Sequence, residues 1–417
     1  MKPLYLFPLA LVILHLGATV RAEDKPQPIP PMLQALVDQQ VMTGVVVLVA
    51  DKDKVLELDA VGYSSLRTKA PMRTDSLFWI ASMTKSMTAT ALMMLVDEGK
   101  VAVSDPVEKV LREFKGQAIA GDDQTPAHPP RRPITIKDVL THTSGLILAG
   151  DRTLKREHSL ATNVANIAAL PLRQEPGTKY EYNNSGIMTA GRIIEVVSGM
   201  PYAEFMQRRL FDPLGMKDTT FWPTEEQAAR LARSARRAED QKSLEEVQQD
   251  KGLTPATIKR LSNGVMVPAP VLADMGVDMV FCYAHRYADP AGGLYSTAND
   301  VGVFCQMLLN GGVHRGKRLL STQAVGVMTS NQTGDVPVSP QEAYGLGWSV
   351  KLRADEGPSI GSFGHRGARR TAMWVDPLHR LAMVVLVERM DMSGDEQKLL
   401  YGSVLKAVIA RYGQPAP

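Results

Sequence analysis

The spacing of apolar positions changes several times along the chain, and each change predicts a different element. Leu4 to Val20 is apolar almost without a break, behind the short basic start Met1-Lys2-Pro3. A Pro-rich connector, Pro26 to Pro31, leads into Met32–Thr43, which reads as a short helix. Gly44–Ala50 and Val55–Val61 are β-rich runs on either side of the turn-like Asp51-Lys52-Asp53-Lys54, the pattern of two strands joined tightly. Thr84–Glu98 is helical in composition and stops at Gly99, a residue suited to a helix C-cap. From about residue 100 to 284 the pattern predicts helices and long loops broken by Pro and Gly, without a ladder of strands. Within it, Arg230–Arg260, with its run AEDQKSLEEVQQDK, reads as a charged helical insertion exposed to solvent. β-rich runs return at Gly345–Val350, Arg370–Val375 and Leu381–Val387, and Glu396–Tyr412 closes the chain as a helix. No internal repeat is present.

Strands near both ends with helices between them predict a mixed α/β fold. If the end segments form one sheet, about 32–99 and 285–412 make the α/β part and about 100–284 an inserted helical subdomain. A cleft then lies between the two.

Composition narrows the picture. The chain has 417 residues, 44% hydrophobic and 22% charged, enough for one large domain or two. A net charge of +3 with scattered basic residues offers no case for nucleic acid or an anionic membrane as partner. The apolar start, followed by Val20-Arg21-Ala22 before Glu23-Asp24, reads as a signal peptide over 1–22 with Glu23 as the mature start; 23–31 is then the connector. This predicts a periplasmic or secreted protein with no stable membrane insertion after cleavage; an uncleaved anchor helix is the other reading. No cysteine lies near the junction, which excludes a lipobox. Cys282 and Cys305 are the two cysteines, free or paired; Cys305 sits in an apolar run suited to a buried thiol. No His, Cys, Asp and Glu cluster has zinc spacing, so no metal is implied.

The chemistry begins at Ala81–Thr90, ASMTKSMTAT. On a helix, Ser82 and Lys85 share a face. A serine hydroxyl is a weak nucleophile until a neighbour takes its proton, and a lysine, with a free pKa of about 10.4, needs burial or nearby charge to do so. Such a pair arises about once by chance in a chain this long, and Ser403-Val404-Leu405-Lys406 is a second match without catalytic company.

Two further motifs decide between them: Tyr182-Asn183-Asn184, in PGTKYEYNNSG, and His365-Arg366-Gly367. In that order, with ITIKDVLTHTSGL (134–146), PAGGLYSTANDVGVFCQMLLNGG (290–312), YGLGWSV (344–350) and MWVDP (373–377), the chain resembles the penicillin-recognising serine hydrolases of the class C β-lactamase type over roughly residues 32–412. That group includes D-Ala-D-Ala carboxypeptidases, D-aminopeptidases and β-lactamase-like esterases. The resemblance implies a β-lactamase/transpeptidase-like fold, an antiparallel sheet flanked by helices with an inserted all-helical subdomain, and no cofactor.

By the same resemblance Ser82 is the acylated nucleophile, Lys85 its proton acceptor, and Tyr182 the second base. Asn184 hydrogen-bonds the acyl amide and Lys85. The backbone N–H groups of Ser82 and Ala368 form the oxyanion hole, and His365, Arg366 and Gly367 line the substrate side. Where relatives often carry a small hydroxyl residue in the middle of the third motif, this chain has Arg366, with Arg369 and Arg370 just beyond. An arginine there suits an anionic substrate if it faces the cleft, and puts β-lactam turnover in doubt. His142 and Ser144 are expected to fix a loop under the site. Gly357-Pro358-Ser359-Ile360-Gly361 matches a G-x-S-x-G elbow, whose partners would have to be Asp376 and His379. It lacks the strand before and the helix after that such an elbow needs, and is rejected.

The resemblance implies an esterase or β-lactamase type of acyl hydrolase acting on a small-molecule ester, β-lactam or D-amino-acid peptide. A D-Ala-D-Ala carboxypeptidase or D-aminopeptidase is the alternative enzyme, and a penicillin-binding sensor the non-catalytic one.

Overall fold

The structure is a computed structural model that describes residues 28–121, 126–148, 158–247, 287–354 and 357–413. The expected signal segment, Glu23, Cys282 and the 248–260 part of the charged stretch lie outside the described residues.

One antiparallel sheet organises the molecule. Its strands are β1 (Gly44–Ala50), β2 (Val55–Ser65), β3 (Ala70–Pro71), β4 (Glu342–Tyr344), β5 (Ser349–Lys351), β6 (Phe363–Arg366), β7 (Ala372–Asp376) and β8 (Leu381–Val387), in the order β4-β5-β6-β7-β8-β1-β2-β3. The centre joins the two chain ends: Val45 pairs with Val387 across β1 and β8, and Leu48 with Leu58 across β1 and β2. Every residue of β1 is buried, because both faces of the sheet are covered. Successive side chains of a strand point to opposite faces, and β1 obeys this: Val46, Leu48 and Ala50 join one core, Val45, Val47 and Val49 the other.

Helices supply the two covers. On one face lie α1 (Ile29–Asp38) and the C-terminal α5 (Gly394–Tyr412), with Leu33, Leu36, Leu400, Val404 and Val408 packed on the odd residues of β1. On the other lie α2 (Thr84–Asp97), α3 (Asn184–Ser198) and α4 (Ala298–Leu309). All of α2 from Thr84 to Leu95 is buried, which accounts for its lack of a polar stripe: a helix surrounded by protein has no face for solvent.

The predicted elements are found within a few residues of their expected ends, with exceptions. The first helix starts earlier, at Ile29. Gly345–Val350 is for the most part a turn, with the Gly345 N–H on the Trp348 carbonyl at 2.7 Å, and strands β4 and β6 stand beside it. The described part of the charged stretch is not a helix. It contains a two-stranded hairpin, Ala235–Arg237 with Leu244–Glu246, held at the end of β8 by the Ala235 N–H on the Glu388 carbonyl at 2.9 Å and to α5 by an Arg237–Glu396 ion pair. Tertiary contacts override the local preference there.

Candidate active site

Ser82 lies in a single 3₁₀ turn, Ala81–Met83, that runs straight into α2. Ala81 is held at φ 46°, a left-handed conformation that costs a residue with a side chain about 1–2 kcal/mol. Lys85, one turn on, is fully buried. Its Nζ donates to Ser82 Oγ at 3.0 Å and to the Ala291 carbonyl at 2.6 Å. The loop that carries Ala291 is fastened along α2: Thr88 Oγ1 donates to the Pro290 carbonyl, and Thr84 Oγ1 accepts the Leu294 N–H.

Tyr182 immediately precedes the cap of α3, where Asn183 Oδ1 accepts the Gly186 N–H at 2.9 Å. Its half-exposed ring has Lys85 Nζ 5.0 Å from its centroid. The His142 ring packs against it at a tilt of 46°, with the centroids 4.5 Å apart. From His142 a line of contacts runs behind Tyr182: Nδ1 to the Asn183 N–H at 3.3 Å, Nε2 to Tyr344 Oη at 3.2 Å, Tyr344 Oη to His365 Nε2 at 3.0 Å, and His365 Nδ1 to the Arg366 carbonyl at 2.8 Å. Burial, with Lys85 nearby, pushes His365 down to about 3 and His142 well below its ordinary range; His142 is also lowered by His365. Burial pushes Tyr344 well up. At neutral pH all three are uncharged.

β6 presses on the turn that bears Ser82. A Cβ on Gly367 would lie 2.5 Å from the Ile80 carbonyl oxygen, so only glycine permits that approach. Among the described residues, neither the Ser82 nor the Ala368 backbone N–H donates to a protein group. A half-buried serine on a buried lysine, with a tyrosine ring over the lysine nitrogen and two open N–H groups beside them, can perform acyl transfer.

The family model described as Beta-lactamase matches residues 31–406. The chain belongs to the Beta-lactamase family. It is 32% identical over 411 residues to an uncharacterized protein of Mycobacterium tuberculosis, across 92% of this chain and 95% of that one. A Salmonella agona protein named for D-alanyl-D-alanine carboxypeptidase is 28% identical over 344 residues, covering 76% and 70% of the two chains. Among solved structures, EstCE1, a hydrolase with promiscuous acyltransferase activity, superposes with TM-score 0.71 at 22% identity over 90% of this chain and 96% of that chain. The simvastatin synthase of Aspergillus terreus gives 0.70 at 19% identity over 92% and 98%. These last two show a shared fold. The family is one of serine hydrolases.

Ser82, Lys85 and Tyr182 come together as their family motifs imply. Three other residues of the motifs have surroundings of their own. Asn184 is the first residue of α3 and makes no hydrogen bond to Lys85 among the described residues; the Ala291 carbonyl is the ammonium's second acceptor. His365 is buried in the expected strand, but both its ring nitrogens are engaged, by Tyr344 and by the Arg366 carbonyl, leaving neither for a substrate. Arg366, the next residue on β6, points to the opposite face. Its guanidinium lies over the rings of Trp374 and Tyr401, 5.5 and 5.1 Å from their centroids, under α5. Arg369 lies over Trp79 beside Glu388, and Arg370 reaches toward the Met390 carbonyl.

Ala291 and Tyr344 went unassigned as site residues, although both sit in the family-like segments PAGGL and YGLGWSV. His142 holds its loop as anticipated and does more, through its ring. Cys305 is buried and free. Ser403 and Lys406 stand on α5, the cover on the far side of the sheet from α2.

The rejected elbow shows an unexpected detail. Ser359, Asp376 and His379 do meet: Ser359 Oγ is 2.8 Å from both Asp376 Oδ2 and His379 Nδ1, and that same Nδ1 is 3.0 Å from Asp376 Oδ2. A catalytic triad puts the serine on one ring nitrogen and the carboxylate on the other. Here both use Nδ1, and Asp376 Oδ1 also takes the His379 N–H, so the cluster ties a turn together.

Proposed function

We propose that the protein is an exported serine hydrolase that cleaves uncharged carboxylic esters through an acyl-enzyme on Ser82. Lys85, as the free amine, takes the hydroxyl proton as Ser82 Oγ attacks the ester carbonyl, and becomes an ammonium beside Tyr182. The Ser82 and Ala368 N–H groups receive the oxyanion. Tyr182 gives its phenolic proton to the departing alcohol as the ester C–O bond breaks, and stays as a phenolate beside that ammonium. Water then adds to the acyl-enzyme with the Tyr182 phenolate as base, and the departing Ser82 oxygen takes its proton back from Lys85, which releases the acid and restores all three residues. The Ser82–Lys85 hydrogen bond, with the Tyr182 ring against Lys85 Nζ, carries the catalytic reading.

The substrate class rests on one observation: the third motif presents no cation to the cleft. Its histidine is uncharged and engaged on both sides, and its arginine lies over Trp374 and Tyr401 on the α5 side of the sheet. β-Lactams and D-amino-acid peptides bring a carboxylate that a site holds best with a charged donor, whereas a neutral ester needs none. Export rests on the reading of 1–22 as a signal peptide.

Intact-mass spectrometry with a short-chain p-nitrophenyl ester and with a fluorescent penicillin, beside Ser82→Ala, tests both parts. Rapid ester turnover that Ser82→Ala abolishes, with at most slow penicillin labelling, is the expected result. A long-lived penicillin adduct with D-Ala release would make the protein a peptidase, as the Salmonella relative's name implies. Rapid opening of the penicillin would make it a lactamase. No adduct and no turnover would remove the hydrolase reading. The mass of the exported chain reports whether it begins at Glu23.

A further inference from the structure

We propose that His142, Tyr344 and His365 form a hydrogen-bond chain with one permitted proton arrangement, which clamps the Tyr182 segment to the third-motif strand and positions Tyr182 over Lys85. The inference deepens the hydrolase reading and rests on it for its effect on rate.

The ends of the chain fix its direction. A backbone N–H can only donate and a carbonyl can only accept. His142 Nδ1 faces the Asn183 N–H, so it must be the bare nitrogen, and the ring proton is on Nε2. That N–H donates to Tyr344 Oη. The single phenolic proton is then left for His365 Nε2, which must be bare in turn. His365 therefore carries its proton on Nδ1, and donates it to the Arg366 carbonyl. Each link has one donor and one acceptor. A phenol proton directed at His142 instead would set two donors against each other on Nε2. An imidazolium at His365 would leave the Tyr344 proton without an acceptor and place a buried charge near Lys85.

The clamp brackets Tyr182. The residue before it, Glu181, gives its N–H to the His142 carbonyl at 2.8 Å, and the residue after it, Asn183, gives its N–H to the His142 ring. His142 is itself held at φ 59°, which places both acceptors on that segment, while its ring packs at a tilt against Tyr182. Removing the Tyr344 hydroxyl would disconnect this assembly from β6 without touching Ser82, Lys85 or Tyr182.

Long-range proton–nitrogen NMR correlation of ¹⁵N-histidine-labelled protein at pH 7, assigned with His142→Gln and His365→Gln, reads the tautomers directly. The expected pattern is a protonated Nε2 on His142 and a protonated Nδ1 on His365. A protonated Nε2 or an imidazolium on His365 would overturn the chain. Tyr344→Phe should lower kcat on the p-nitrophenyl ester about ten- to a hundredfold with KM little changed, the scale of misplacing a catalytic group by a fraction of an ångström. His365→Gln, which keeps an acceptor for Tyr344, should lose less than His365→Leu, which has none. A wild-type kcat in Tyr344→Phe, or equal losses in Gln and Leu, would overturn the positioning role. Absence of ester turnover in the wild type would remove the ester reading, and the tautomers would still decide the chain.

Discussion

Arg366 is the residue at which sequence and structure part most sharply. In the motif it stands beside the nucleophile's partners; in the strand it alternates away from them and spreads over two rings. Arg366→Ala should therefore leave kcat/KM on a neutral ester within about twofold of wild type, the range of a residue off the reaction path. It should destabilise the fold by about 1 kcal/mol, from the lost stacking of a cation and its stem on Trp374 and Tyr401. Ester kinetics beside urea unfolding check both numbers, and a large loss of kcat/KM would return Arg366 to the cleft. Sequence reached Ser82, Lys85 and Tyr182 because each sits in a short motif whose chemistry needs that residue type. It missed Ala291 because the group that binds Lys85 is a carbonyl, which any residue carries. It assigned His365 to the substrate because a motif cannot say which nitrogen is already taken.

At the scale of elements, β1 and α4 meet in a close fit. A Cβ on Gly302 would fall 2.7 Å from a Leu48 methyl, so the helix rests on the sheet only because glycine stands there. Leu48→Ala should cost about 2–5 kcal/mol as a cavity in the core, and Gly302→Ala about 1–3 kcal/mol by overpacking. The double variant should cost clearly less than the sum, since the added methyl enters the space that Leu48 vacates. Denaturant midpoints of the four proteins test this, and strict additivity would separate the two sites. The pattern along β1, buried throughout, reveals a strand covered on both faces but not which helix covers which face. The charged stretch shows the opposite case: its described part pairs as a hairpin because the Glu388 carbonyl, Asp391 and Glu396 offer partners, and none of these is near it in sequence.

For the whole molecule, buried neutral histidines make stability depend on acid. His365 titrates near 6.5 when unfolded and is pushed to about 3 in the fold. Between those values the unfolded chain holds the extra proton, so stability is lost as pH falls through that window. His142 is shifted in the same direction. Asp300 and Asp59, both raised to about 6 chiefly by burial, act the other way between their unfolded values and 6, because the folded chain then holds their proton. A difference between two proteins isolates the histidine: relative to wild type, His365→Gln should gain about 1.4 kcal/mol per pH unit as pH is lowered from about 6 to 4. Parallel pH curves would place His365 in a site that tolerates its charge. By itself the sequence determined the α/β class, the order of the main elements and the serine–lysine–tyrosine set, since periodicity and motif spacing are local and survive in one dimension. Only the tertiary structure decided which face Arg366 takes, what holds Lys85, and that His142, Tyr344 and His365 meet. Those depend on strand alternation and on contacts between residues up to hundreds of positions apart, where a single bond angle or register step changes the partner.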